Sequence, residues 1–247
     1  MFKFESVQKT DIGMKRSKNQ DSIFSNPELG LYIVADGMGG HQGGETASQM
    51  AVEVIPKSFE SQKNSKKPQA LLQEAIQLAN HSIFQAGQEK VELQGMGTTV
   101  TSIYFHGKEV TIGHVGDSRC YLLDEGCIWQ LTKDHSVVQE KVRAGVITRQ
   151  EAKTDSMKNV ITRSVGFESN VNVDLYHAEA KPNNVFLLCS DGLYNLIEDY
   201  EILKIYQKNS TQQSILDSLS KTAEELIQVA NSRGGDDNIS ILIVQVI

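Results

Sequence analysis

The feature that most narrows the possible folds is how little chain separates neighbouring runs of β-branched and aromatic residues. Residues 110–115 follow residues 98–105 across a turn containing Gly107, and residues 120–123 follow Val115 across only Gly116-Asp117-Ser118-Arg119. A parallel crossover needs a dozen or more residues, so these connections predict antiparallel strands in a meander. Residues 31–35, 185–189 and 239–246 read as further strands. Helical spacing lies elsewhere. Leu72, Ile76, Ala79, Ile83 and Ala86 share one helix face, and Ile215, Leu219, Ala223, Leu226 and Ala230 belong to a stripe that ends shortly before Gly234. Residues 45–59 can be helical, with Pro56 kinking or shortening the helix, and a polar loop over residues 61–69 would make it an antiparallel partner of the next one. Residues 137–144 predict a short helix stopped by Gly145, and Thr148-x-x-Glu151 has the form of a capping box. The sum is a layered α+β fold. With four prolines and no Gly/Ser tract between composition regimes, residues 1–247 are expected to form one domain.

Charge and cysteine usage exclude several roles. Lys plus Arg number 24 against 31 Asp plus Glu, and the net charge of −7 argues against binding dominated by a nucleic-acid backbone or an anionic membrane. Cys120, Cys127 and Cys189 form no C-x-x-C pair and leave one thiol over in any disulfide scheme, which predicts a reducing, cytoplasmic setting. The opening Met-Phe-Lys-Phe-Glu-Ser lacks a signal-peptide layout, and no apolar run approaches the ~20 residues a bilayer demands, so neither secretion nor membrane spanning is expected.

The chemistry begins with the aspartates. Asp36 ends the run Leu-Tyr-Ile-Val-Ala, Asp191 follows Val-Phe-Leu-Leu-Cys-Ser, Asp117 sits in a turn between strands, and Asp237 precedes the last strand. An Asp-Gly pair usually marks a hairpin, but Asp36-Gly37 and Asp191-Gly192 each lead into a helical pattern, so a hairpin does not account for them. Carboxylates converging at strand ends repel one another unless a cation joins them, and clustered oxygen ligands select hard ions such as Mg²⁺ or Mn²⁺. The six histidines include no pair at zinc-ligand spacing. No P-loop occurs, the glycines after Asp36 miss the dinucleotide-binding spacing, Ser190 lacks the first glycine of a nucleophile elbow, and no cysteine-phosphatase or Asp-x-Asp signature is present. What survives is water activated by divalent ions that also clamp a phosphoryl group. Arg16 stands among polar residues, with a fork suited to phosphate oxygens.

Eight ordered blocks carry a resemblance: Arg16-Ser-Lys-Asn19-Gln20-Asp21, Val34-Ala-Asp36-Gly37-Met38-Gly39-Gly40-His41, Gly95-Met-Gly-Thr98-Thr99, Gly116-Asp117-Ser118-Arg119, Leu131-Thr-Lys-Asp134-His135-Ser136, Ile161-Thr-Arg163-Ser-Val-Gly166, Cys189-Ser-Asp191-Gly192-Leu193 and Gly235-Asp236-Asp237-Asn238. Over nearly its whole length the chain resembles the bacterial branch of the type 2C metal-dependent serine/threonine protein phosphatases. The resemblance implies a four-layer αββα sandwich, two antiparallel sheets flanked by helix pairs. It implies that Asp36 bridges two Mn²⁺ or Mg²⁺ ions, that Asp191 and Asp237 complete one site and the Gly37 carbonyl supports the other, and that Asp117 with Asp191 holds a possible third. Arg16 would grip the phosphate without touching a metal, Asp21 would orient metal-bound water, and residues 137–159 would form the flap beside the site. Gln20 stands where eukaryotic relatives usually have glutamate, and Met38 where they have histidine, so His41, three residues on, becomes the candidate general acid. The flap reads Asp155-Ser-Met-Lys-Asn159, without the His-Pro common in the family. The implied activity is hydrolysis of phosphoserine and phosphothreonine in proteins by a cytoplasmic monomer opposing a serine/threonine kinase. The alternatives are a pseudophosphatase docking module and, disfavoured by the net charge, a two-metal nuclease.

Overall fold

The computed structural model describes residues 2–63, 66–211 and 214–247. Among them, strands form two antiparallel sheets. One has the order β1 (Phe4–Asp11), β11 (Ile239–Val246), β10 (Val185–Cys189), β7 (Arg119–Asp124) and β8 (Cys127–Gln130). The other runs β2 (Asp21–Asn26), β3 (Leu31–Met38), β5 (Val100–His106), β6 (Glu109–Val115) and β9 (Asp174–Glu179), with the short β4 (Gly97–Thr98) pairing the end of β3.

Strand periodicity explains the layering. Along β3, Leu31, Ile33 and Ala35 point to one face, where they pack with Ala47, Ala51, Ile55 and Phe59 of α1 (Gly40–Gln62) and Leu72, Ile76 and Ala79 of α2 (Pro68–Glu89). Tyr32 and Val34 point to the other face, toward Phe186 and Leu188 of β10 and Leu242, Val244 and Val246 of β11. The opposite faces of β10 and β11 meet α5 (Asp191–Tyr194), α6 (Asp199–Asn209) and α7 (Ile215–Ser232) through Leu187, Ile241, Leu193, Ile202, Leu219 and Leu226. Strands buried on both faces read as continuous apolar runs. Between the sheets, Phe105 stacks with Phe4, Tyr32 and Phe186 at ring-centroid distances of 4.5, 5.8 and 5.2 Å. The expected αββα arrangement is therefore present.

Several expectations are corrected. The turn from Val115 to Arg119 does not continue a meander, because β6 and β7 lie in different sheets and Gly116, at φ +106°, carries the chain across the sandwich. The first helix starts at Gly40 and runs past Pro56 to Gln62. Its buried face, Ala47, Ala51, Ile55 and Phe59, continues across the proline and outweighs one lost hydrogen bond. The polar segment 61–69 is consequently shorter than expected: Ser61 and Gln62 end α1, Pro68 opens α2, and Asn64 and Ser65 lie outside the described residues. The excursion after Ser136 carries α3 (Val137–Arg143) and α4 (Arg149–Ala152), with the Thr148–Glu151 capping box formed as expected. Gly145 follows α3 with a positive φ of 69°, and neither helix buries a residue.

Candidate functional site

Where the two sheets meet at one end, a cavity of about 510 Å³ is lined by Arg16, Asp36, Asp117, Asn159, Asp191 and Asp237, among others. Four of these are acids from four separate segments. Asp36 lies on β3 where the strand changes partners: its N–H donates to Thr99 Oγ1 (2.9 Å), and its carbonyl accepts from Thr98 Oγ1 (2.9 Å) and Thr99 N (2.8 Å). Gly37 also lines the cavity, and a Cβ there would strike the backbone of Gly44, so only glycine lets α1 close against the strand. Asp191 opens α5 immediately after β10 and accepts from Asn195 Nδ2 at 3.0 Å. Asp117 sits in the turn that crosses between the sheets, and Thr99 Oγ1 bonds Ser118 Oγ beside it at 2.8 Å.

Asp237 precedes β11, and its neighbour Asn238 binds the other side of the site together. The Asn238 amide donates to the carbonyls of Ile12 and Lys18, both at 2.9 Å, and its Oδ1 accepts from Gln20 N at 2.8 Å. This fixes the arm carrying Arg16, whose Nη2 donates to Asp237 Oδ2 at 2.6 Å. Arg16 was expected to meet a phosphate without touching a metal; here its guanidinium pairs with Asp237, one of the acids expected to hold the ions. Asp21 is placed differently from the other acids. It faces Asp36 in register across β2 and β3, buried to 9% exposure, and accepts from Ser190 Oγ at 2.8 Å without lining the cavity. His41 belongs to the first turn of α1, and its side chain lies outside the described residues.

Crowding these acids has a clear electrostatic signature. Burial first, then the charges of Asp21, Asp191, Asp117 and Asp237, push the Asp36 carboxyl well above the usual range. Asp191 is pushed up in the same way, by burial and then by Asp117, Asp237 and Asp21. Burial also raises Asp21 to about 6, with Asp237 adding to it, and raises Asp117 to about 6, with Asp134 adding and Arg119 opposing. Among the described residues, Asp21 Oδ1 and Asp191 Oδ1 are buried oxygens with no hydrogen-bond partner, a state that ordinarily costs about 1–3 kcal/mol. No three acidic, histidine or cysteine side chains among those residues already stand as a closed ligand cage. Oxygen-only donors, unpartnered buried carboxylate oxygens and raised acids nonetheless fit hard divalent cations, whose charge would relieve all three conditions.

Residues that support the site were not picked out individually from the sequence. Ser190, considered only as a nucleophile, is the donor to Asp21. Arg119 forks onto Asp134, with Nε at 3.1 Å from both oxygens and Nη2 at 2.7 Å from Oδ2, and stacks 3.6 Å above the Tyr194 ring of α5. Both lie inside the recognised blocks, but their roles depend on which sheet each block enters.

The sequence profile of the family described as Protein phosphatase 2C matches residues 14–234. The chain is 37% identical over 243 residues to the serine/threonine phosphatase stp of Listeria monocytogenes serotype 4b, covering 96% of this chain and 94% of that protein. Its fold matches the crystal structure of the Mycobacterium tuberculosis serine/threonine phosphatase PstP/Ppp with a TM-score of 0.89 at 33% identity, covering 99% of both chains. It also matches the catalytic domain of PstP in complex with two manganese ions, with a TM-score of 0.86 at 32% identity and complete coverage of both. Fold, ordered motifs and overall likeness agree, and the chain belongs to the protein phosphatase 2C family.

Proposed function

We propose that this chain is a metal-dependent protein serine/threonine phosphatase, hydrolysing phosphoserine and phosphothreonine monoesters on protein substrates. The observation that carries this reading is the convergence of Asp36, Asp117, Asp191 and Asp237 on one cavity with the Arg16 guanidinium beside them. The residues that would hold the ions are Asp36, Asp191, Asp237 and the Gly37 carbonyl for two Mn²⁺ or Mg²⁺, and Asp117 with Asp191 for a third. The chemistry such ions supply when bound is a lowered pKa of water and neutralisation of phosphoryl charge.

The chain's own groups do the rest. Arg16 lines the cavity and meets Asp237 through Nη2 alone, and its guanidinium fork is of the kind that suits phosphate oxygens. Asp21, anchored by Ser190, keeps one oxygen without a protein partner and can accept a hydrogen bond from water, orienting it. His41 is the candidate donor of a proton to the leaving serine or threonine alkoxide, on its place in the sequence alone. Asn159 and Ile161, at the returning end of the flap, line the cavity, so residues 137–159 are placed to meet the protein around the phosphate. We read residues 1–247 as one catalytic domain, acting as a cytoplasmic monomer opposite a serine/threonine kinase. No helix among the described residues is long and apolar enough to cross a membrane.

Turnover of a phosphothreonine peptide and of p-nitrophenyl phosphate, with Mn²⁺ and with EDTA, tests the reading. Activity with Mn²⁺ and none in EDTA is expected; full turnover in EDTA overturns the mechanism.

A further inference from the structure

His135 is 3% exposed and hydrogen-bonds on both sides. On one side it is stitched to the residue preceding Asp117: its N–H donates to the Gly116 carbonyl at 2.8 Å, and its Nδ1 accepts from Gly116 N–H at 3.0 Å. Because Nδ1 accepts from a peptide N–H, the single proton of the neutral ring is on Nε2. That nitrogen lies 3.2 Å from Asp174 Oδ2, while Arg163 Nη1 donates to Asp174 Oδ1 at 2.6 Å. Two donors thus converge on one carboxylate, which accounts for Arg163 Nη1 approaching His135 Nε2 to 3.2 Å. The flap is rooted at the same place. Thr162 N–H donates to the His135 carbonyl at 2.7 Å, Val137 N–H donates to the Val160 carbonyl at 2.9 Å, and Ser136 and Ile161 form an antiparallel bridge.

We infer that His135 is a positioning residue that couples the flap to Asp117, its Nδ1 edge holding the Gly116–Ser118 turn and its Nε2 edge holding the Asp174–Arg163 pair at the flap's base. The turn bearing Asp117 can then shift only if His135 shifts, and His135 is joined to the returning segment that brings Asn159 and Ile161 to the cavity. A cation drawn to Asp117 thereby steadies the flap, and a flap engaged by substrate steadies Asp117, since coupling between two sites is reciprocal. The inference rests on the reading of Asp117 as part of the metal-holding set.

Hydrogen exchange of the full chain, with and without saturating Mn²⁺, tests it. In the wild type, Mn²⁺ is expected to slow exchange about tenfold in both the 116–118 turn and residues 137–162, within the range typical of coupled sites. His135→Asn keeps an acceptor near the Nδ1 position but cannot reach Asp174, so the turn remains protected while the flap exchanges at its metal-free rate. His135→Ala loses protection in both segments. Should His135 variants fail to fold, Asp174→Ala, at a half-exposed position, should uncouple the flap alone. Flap protection equal to wild type in His135→Asn or Asp174→Ala overturns the inference, as does a wild-type flap indifferent to Mn²⁺ while the turn is protected. A wild-type protein that couples the two segments but hydrolyses no phosphoserine peptide refutes the phosphatase reading and supports the coupling.

Discussion

Replacing Asp21 by asparagine should change how the stability of the metal-free protein depends on pH, by an amount the structure sets. Burial, with a further contribution from Asp237, raises this carboxyl from 3.8 to about 6 in the folded state. At about pH 3 both states hold the proton and Asp21 contributes nothing. Between about pH 4 and 6 the unfolded chain ionises while the folded chain keeps its proton, so stability falls as pH rises, and above that range the penalty is complete. A shift of roughly 2.2 units at 1.36 kcal/mol each is about 3 kcal/mol. Asparagine does not titrate, and its NH2 group replaces an oxygen that already has no hydrogen-bond partner, so any difference in that pairing is the same at every pH. The absolute offset between variant and wild type therefore combines two terms, whereas its change with pH reports the ionisation of Asp21 together with the relief its loss gives Asp36 and Asp191, which acts in the same direction. Urea unfolding in EDTA should show Asp21→Asn gaining about 2.5 kcal/mol on wild type between about pH 4 and 7.5, equivalent to roughly 5–10 °C in melting temperature for a chain of this size. A difference constant to within about 0.5 kcal/mol across that range would refute the argument, because a purely steric or hydrogen-bond effect carries no such slope.

Asp36→Asn and Asp237→Asn should lose nearly all turnover of p-nitrophenyl phosphate, and calorimetry should show Mn²⁺ raising the melting temperature of the wild type but raising it less in either variant; unchanged stabilisation would remove these residues from the metal set. Arg16→Ala should weaken phosphopeptide handling, with Arg16→Lys a partial rescue, while titration calorimetry shows no loss of Mn²⁺ affinity because the competing partner of Asp237 has gone; wild-type kinetics in Arg16→Ala would return the residue to an ordinary surface role. Arg143→Ala and Arg149→Ala in the flap should reduce turnover of a phosphoprotein more than that of p-nitrophenyl phosphate, and equal losses on both substrates would mean that the flap supports the active site without choosing substrates.

The convergence of the acids on one cavity was legible because they break a local rule: Asp36-Gly37 and Asp191-Gly192 look like hairpin turns yet lead into helices. The core strands were legible for a related reason, since burial on both faces turns β3, β10 and β11 into apolar runs. The edges were not. β1, Phe-Glu-Ser-Val-Gln-Lys-Thr-Asp, is polar and only partly buried, and β2 and β9 likewise lie at a sheet margin where fewer apolar side chains are required. The start of α1 was missed because Gly40, Gly43 and Gly44 argue against a helix; Gly44 is there because a Cβ would crowd Gly37 and Gln20. Nor could four residues between Val115 and Cys120 reveal a change of sheet, since a hairpin and a crossing turn of that length look alike until the partners of each strand are known.

That crossing turn belongs to an arrangement in which Asp21 and Asp36 ride on one sheet while Asp191 and Asp237 flank the ends of two interior strands of the other, β10 and β11. The aromatic layer of Phe4, Tyr32, Phe105 and Phe186 lies toward the opposite ends of those strands, where Phe4 pairs with Val246 and Phe105 bonds Gly30, so the two sheets are clamped together at a distance from the acids. Thinning that layer at Phe186 or Phe105 should therefore show as a lower melting temperature of the whole sandwich, and a shift confined to the acids would contradict this division of labour.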